Sequence, residues 1–204
     1  MTKYQKILLS TVTAIFIWSA INPHDYFTWF LEVVPAIIGF ILLAATYKKF
    51  RFSNVTYTLI ALHAVILMVG GHSTYAEVPL FNWLRDIGIF ERNNYDKIGH
   101  LAQGFIPAIV AREILLRTSP LKPGKWLNFI VVSITGLITA LYEIIEWLVA
   151  VAIGSAGDAF LGTQGYIWDT QSDMALCLLG AILALVLLTK FHNKQLQKIG
   201  VLPQ

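Results

Sequence analysis

Apolar stretches of near membrane-crossing length follow one another along almost the whole of this chain. They are Ile7–Ile21, Phe30–Tyr47, Val55–Gly71, Ile98–Leu116, Trp126–Ile153 and Met174–Thr189. A helix needs about 20 residues to cross a bilayer, so the shorter stretches must extend into their flanks. The sixth takes in Thr170–Asp173, giving a span of 170–189. The fourth takes in Tyr95–Lys97 or its own Arg112–Leu116 turn. Of the 204 residues 56% are hydrophobic and 13% charged, against about 25% charged in soluble domains. Mean hydropathy is +0.65. The expected fold is therefore all-α: a polytopic transmembrane bundle of about six spans, forming one integral-membrane domain over residues 1–204.

The charge distribution sets the expected orientation. Twelve of the fifteen Lys and Arg residues fall on the side of the two termini, and only Arg85, Arg92 and Lys97 on the other. The positive-inside rule then places both termini in the cytoplasm. A net charge of +3 spread in this way reports orientation and does not indicate nucleic acid. The start, Lys3 and Lys6 followed by Ile7–Ile21, has the look of a signal peptide. Trp18, however, occupies the position before Ala20 that wants a small residue, so the segment reads as an uncleaved first helix. Trp18, Trp29, Trp83, Trp147 and Trp168 fall near the outer boundary, as an interfacial belt would. Pro35 and Pro107 lie within spans as candidate kinks. Cys177 is the one cysteine, so no disulfide can form within the chain.

In this topology three pairs of polar residues converge. Asp96 and His100 open the fourth span, Glu143 and Glu146 lie in the outer half of the fifth, and Asp169 and Asp173 open the sixth. Each pair has i,i+3 or i,i+4 spacing and so shares a helix face. An Asp at the centre of a spanning helix costs roughly 2.5–3.5 kcal/mol on insertion scales, so a chain that needed only to span would not carry several pairs. Five carboxylates cannot all be ionised in a partly desolvated pocket without compensation. Shared protons, a basic partner or a bound cation could each supply it. Lys97 lies about 100° around the helix from Asp96 and need not point inward.

A divalent cation is the simplest neutraliser, with Asp96, His100, Glu143, Glu146, Asp169 and Asp173 as candidate ligands. Oxygen ligands with one imidazole suit Mg, Mn, Fe or Zn alike. His100, Glu143 and Asp173 are the candidate catalytic residues. The competing reading is structural. Asp96 and Asp169 sit where N-terminal caps belong, whereas Glu143 and Glu146 lie in an apolar run well past a helix start.

The remaining polar residues carry weaker signals. His63 is expected to make an interhelical hydrogen bond, Glu32 to be interfacial, and Arg112 and Glu113 to snorkel. Cys177 is expected to pack in the core. Gly154, Gly157, Gly162 and Gly165 make a Gly-rich outer loop with no phosphate-loop spacing. Gln103, Gln164 and Gln171 are possible hydrogen-bonding partners for a polar ligand.

Three motifs in order, YDKIGHLAQGF at Tyr95–Phe105, YEIIEW at Tyr142–Trp147 and GTQGYIWDTQSDM at Gly162–Met174, resemble the YjdF-like family of bacterial inner-membrane proteins over most of the chain. More distantly, the pattern is similar to VanZ-like membrane proteins, with Asp96, Lys97, His100, Glu143, Asp169 and Asp173 in the matching positions. This chain departs from them in Glu146 and in its extra N-terminal spans. VanZ-like proteins are associated with low-level glycopeptide resistance. The resemblance implies a bacterial inner-membrane, envelope-related protein and no particular reaction.

Three functions compete. A membrane enzyme would act on a lipid or lipid-linked substrate. A transporter or proton or cation pathway would also use intramembrane acids, although midplane acids and an internal repeat, its usual marks, are missing from the pattern. A scaffold would use the cluster as a polar structural core. The lipid bilayer is the one certain partner, and the oligomeric state is left open.

Overall fold

The computed structural model describes residues 1–153 and 163–203. Among these there are seven α-helices and no strand: α1 (Lys3–Ser19), α2 (Tyr26–Thr46), α3 (Asn54–Ser73), α4 (Pro79–Asp86), α5 (Tyr95–Thr118), α6 (Lys125–Ile153) and α7 (Asp169–Lys198). The first three begin on side-chain caps. Thr2 and Gln5 form a reciprocal capping box at α1. The Asp25 carboxylate accepts the Thr28 amide at 2.7 Å, a bond that holds its pKa below the usual carboxylate value. Ser53 caps α3 through the Thr56 amide.

Helices α2, α3, α6 and α7 are each long and apolar enough to cross a membrane. Of the other two expected spans, α1 is 17 residues long. α5 has 24 residues but carries Asp96, Lys97, Arg112, Glu113 and Arg117. Both pack into the bundle, α1 on α3 and α5 against α3, α6 and α7. Helices α2 and α5 continue through Pro35 and Pro107. The outer surface is apolar: Phe40, Ile41 and Leu42 on α2, Phe129 and Leu137 on α6, and Val186 and Leu187 on α7 are more than half exposed. Such contiguous apolar exposure suits lipid and not water. Four of the five belt tryptophans are likewise exposed. The fifth, Trp29, turns inward and donates its indole N–H to Ser19 Oγ at 3.2 Å.

The closest packing is between α5 and α7, which run side by side. A Cβ on Gly104 would collide with the Cys177 carbonyl, and one on Gly180 with the Leu101 carbonyl. Backbone touches backbone there, as small residues permit in membrane interfaces. Below this contact Ala108, Ile109, Leu127, Val131, Ala181, Ala184 and Leu185 form the apolar core. Above it, one turn toward the start of each helix, lie His100 and Asp173.

Candidate functional site

The starts of α5 and α7 bring Asp96 and Asp169 together, but not as caps. The cap positions are Asn94 and Trp168, and neither makes a side-chain cap hydrogen bond. The two aspartates occupy first turns, favourable for an acid in the helix dipole, and turn sideways to two cations. Lys97 Nζ lies 2.7 Å from Asp169 Oδ1, 2.7 Å from Asp173 Oδ1 and 3.3 Å from Asp96 Oδ2. It also donates to Ser172 Oγ. Arg92 Nη2 lies 2.6 Å from Asp169 Oδ1 and 3.4 Å from Asp96 Oδ2, while Nη1 donates to the Thr163 carbonyl. The Tyr166 ring faces both cations.

This decides two points that the sequence left open. Asp96 and Asp169 do not cap their helices, and Lys97 does turn inward. The 100° between neighbouring Cα atoms does not bind the end of a four-carbon side chain, which reaches round to the acidic face. Arg92 was overlooked altogether. Its one signal was its position four residues before Asp96.

His100 occupies the next turn. Its Nε2 is 3.8 Å from Asp173 Oδ2 and its Nδ1 is 3.8 Å from Glu143 Oε1. Both separations exceed a hydrogen bond. Nδ1 contacts Gln103 Oε1 at 3.2 Å. Asp173 is thus shared, one oxygen on Lys97 and the other toward the imidazole. Glu143 Oε1 is buried without a hydrogen-bond partner among the described residues.

Two sets of residues could hold a metal ion by proximity: His100, Glu143 and Asp173, and Asp96, Asp169 and Asp173. The second already surrounds the Lys97 ammonium, so the charge a cation would bring is present. The first fits a metal better, having an imidazole, an unpaired carboxylate oxygen and a buried position.

Glu146 parts company with Glu143. It lines a cavity of about 160 Å³ together with Glu32, His63, Tyr75, Asp96, His100, Gln103 and Tyr142. The expected interfacial Glu32 is in fact 5% exposed. His63 makes no interhelical hydrogen bond among the described residues and faces this cavity instead. Tyr75 is seated by absence of side chains: a Cβ on Gly70 of α3 or Gly99 of α5 would strike its ring.

Arg112 and Glu113 do not snorkel, since they are 1% and 0% exposed. Glu113 accepts hydrogen bonds from the Ser53 amide, the Ser53 and Thr56 hydroxyls and Arg117. Arg112 donates to His192 Nδ1 at 3.0 Å and to Asn193. An arginine can only donate, so the His192 proton is on Nε2, which donates to Glu113 Oε2 at 3.1 Å. This network ties α5 to the start of α3 and the last turns of α7.

Cys177 is buried with its Sγ near the Thr135 carbonyl. Of the loop residues, Gly154, Gly157 and Gly162 lie outside the described residues. Gly165 takes a positive φ of 82° in a turn. Gln164 bonds the Asn93 backbone in both directions, and Gln171 is exposed.

Fold and site together define a polytopic helical membrane protein with a buried ion-pair cluster on α5 and α7, faced by α6. The chain belongs to the family described as "Predicted membrane protein (DUF2238)", whose family model matches residues 4–194. It is 47% identical over 192 residues to the inner membrane protein YjdF of Escherichia coli strain K12, covering 94% of this chain and 92% of that one. No solved structure matches it. The protein is accordingly placed in the bacterial inner membrane.

Proposed function

We propose that the cluster is an acid–base centre on the outer face of the inner membrane, acting on a lipid or lipid-linked envelope substrate. The observation that carries this reading is His100, each of whose ring nitrogens faces a different carboxylate at 3.8 Å. Asp173 is anchored through Oδ1 on Lys97. It serves as the fixed negative charge that stabilises the imidazolium when His100 takes a proton, while Gln103 Oε1, 3.2 Å from Nδ1, holds the ring. Glu143, with one oxygen unpaired, stands on the other side, where it handles a second proton or binds a ligand.

His100, Glu143 and Asp173 are also the set that would hold a divalent cation; His100 would then be a ligand in place of the base, and the ion would activate water or polarise a phosphoryl oxygen. The outward orientation rests on the distribution of Lys and Arg, which likewise supports six spans with both termini cytoplasmic.

A one-sided centre is favoured over a transport pathway by one feature. The apolar layer of Ala108, Ile109, Leu127, Val131 and Ala184 separates the His100 cluster from the Arg112–Glu113–His192 network. A continuous polar route would need to cross it.

The test is a comparison of lipid and lipid-linked envelope intermediates, by mass spectrometry, in cells with and without the protein. The species expected to accumulate in its absence should disappear with the wild-type chain and persist with His100→Ala or Asp173→Asn, both inserted at normal levels. Identical profiles in the presence and absence of the protein would refute the enzyme reading.

A further inference from the structure

The cavity bounded by α2, α3, α5 and α6 holds two carboxylates that the acid–base centre does not use. Glu32 and Glu146 are 5% and 9% exposed. Both line the cavity, and neither has a hydrogen bond or ion pair to any described residue. Arg92 and Lys97 are engaged by the aspartates, and the basic groups that line the cavity with these two glutamates are the imidazoles of His63 and His100. Two unpaired carboxylates in a membrane-embedded chamber need either a proton each or a counter-cation from outside the chain.

Shape and lining say which kind. A cavity near 150 Å³ accommodates a molecule of about benzene size, and this one measures about 160 Å³. Its apolar wall is hydrocarbon and ring, Pro35, Leu67, Pro107, Ile138, Tyr75 and Tyr142, and on its polar side it reaches Asp96 and His100 of the acid–base cluster. Tyrosine faces attract ammonium groups, whereas a strongly hydrated divalent ion gains nothing from them and keeps its waters. We propose that this cavity binds a small organic ammonium, with Glu32 and Glu146 as its counter-charges and Tyr75 and Tyr142 as its walls. The same chemistry is presented by an ethanolamine lipid head group and by a free alkylamine. The inference concerns binding and stands whether or not His100 is catalytic.

The experiment is calorimetric titration of the full-length protein, in nanodiscs of phosphatidylglycerol alone, with ethanolamine and with propylammonium. Neutral 1-propanol serves as the contrast. Saturable binding of the ammonium probes is expected, with no saturation by 1-propanol. Glu32→Gln and Glu146→Gln should each weaken binding by at least about tenfold, the loss of one charge-assisted contact. Competition by nanodiscs containing phosphatidylethanolamine would assign the site to a lipid head group. Undiminished binding there would assign it to a free amine. The proposal is overturned if the wild-type protein binds neither ammonium, binds 1-propanol as well, or binds equally after both glutamine substitutions. The wild-type contrasts decide the matter even if a variant fails to fold.

Discussion

Lys97 is the residue on which the ion-pair cluster turns, because its single ammonium serves carboxylates on two helices. Lys97→Met keeps most of the stem and leaves Asp96, Asp169 and Asp173 to Arg92 alone. Removing one partner of a buried pair costs about 3–5 kcal/mol, and at 16% side-chain exposure the low end of that range applies. The thermal midpoint of the purified protein should fall. Lys97→Met combined with Asp173→Asn should recover part of the loss, since the orphaned charge goes too. An unchanged midpoint in Lys97→Met would show that the pairs contribute nothing to stability. Glu143 poses the opposite case. Having no partner to lose at Oε1, Glu143→Gln should insert, fold and stay monodisperse. It should nevertheless lose bound metal by elemental analysis and fail to complement. A folded variant with unchanged metal content and function would reduce Glu143 to a structural residue.

At the scale of elements, the α5–α7 contact sets the site, since it fixes how far His100 stands from Asp173. Gly104→Ala places a methyl against the Cys177 carbonyl. Backbone cannot rotate aside, so the helices must separate, at about 1–3 kcal/mol for such overpacking. A lowered midpoint in detergent is expected, together with weakened function, and an unaltered variant would show that the helices are freer than this contact implies. The other end of α5 is fastened by Glu113. Glu113→Ala strips the acceptor from Ser53, Thr56, His192 and Arg117 and should cost more than Gly104→Ala in the same melt. The elements themselves were largely legible in the sequence, because hydropathy is read by lipid one segment at a time. So were the pairs Asp96–His100, Glu143–Glu146 and Asp169–Asp173 as residues of one helix face, because spacing on a helix is local. Which face each helix turns to its neighbours was not legible. Glu32 reads as interfacial until α3, α5 and α6 close around it. Arg112 and Glu113 read as snorkelling until His192, nearly eighty residues on, arrives from the end of α7. Lys97 was named beside Asp96, but its inward turn was not legible, because it depends on the reach of its side chain.

For the molecule as a whole, the twelve-to-three charge asymmetry gives a direct prediction. A reporter active only in the periplasm, fused after Gln204, should be silent, and a cytoplasmic one active. The reverse result would move the His100 centre to the inner face and end the outer-leaflet proposal. The spacing of the ion pairs along the chain also bears on how the protein is made. Lys97 finds Asp169 and Asp173 at sequence separations of 72 and 76, and at about 5–20 residues per second a ribosome takes roughly 4–15 seconds to supply them. During that interval α5 has left the exit tunnel with a lysine and an arginine answered only by Asp96. A chain stalled before α7 lacks Asp169 and Asp173 and holds unanswered positive charge in place of the finished cluster.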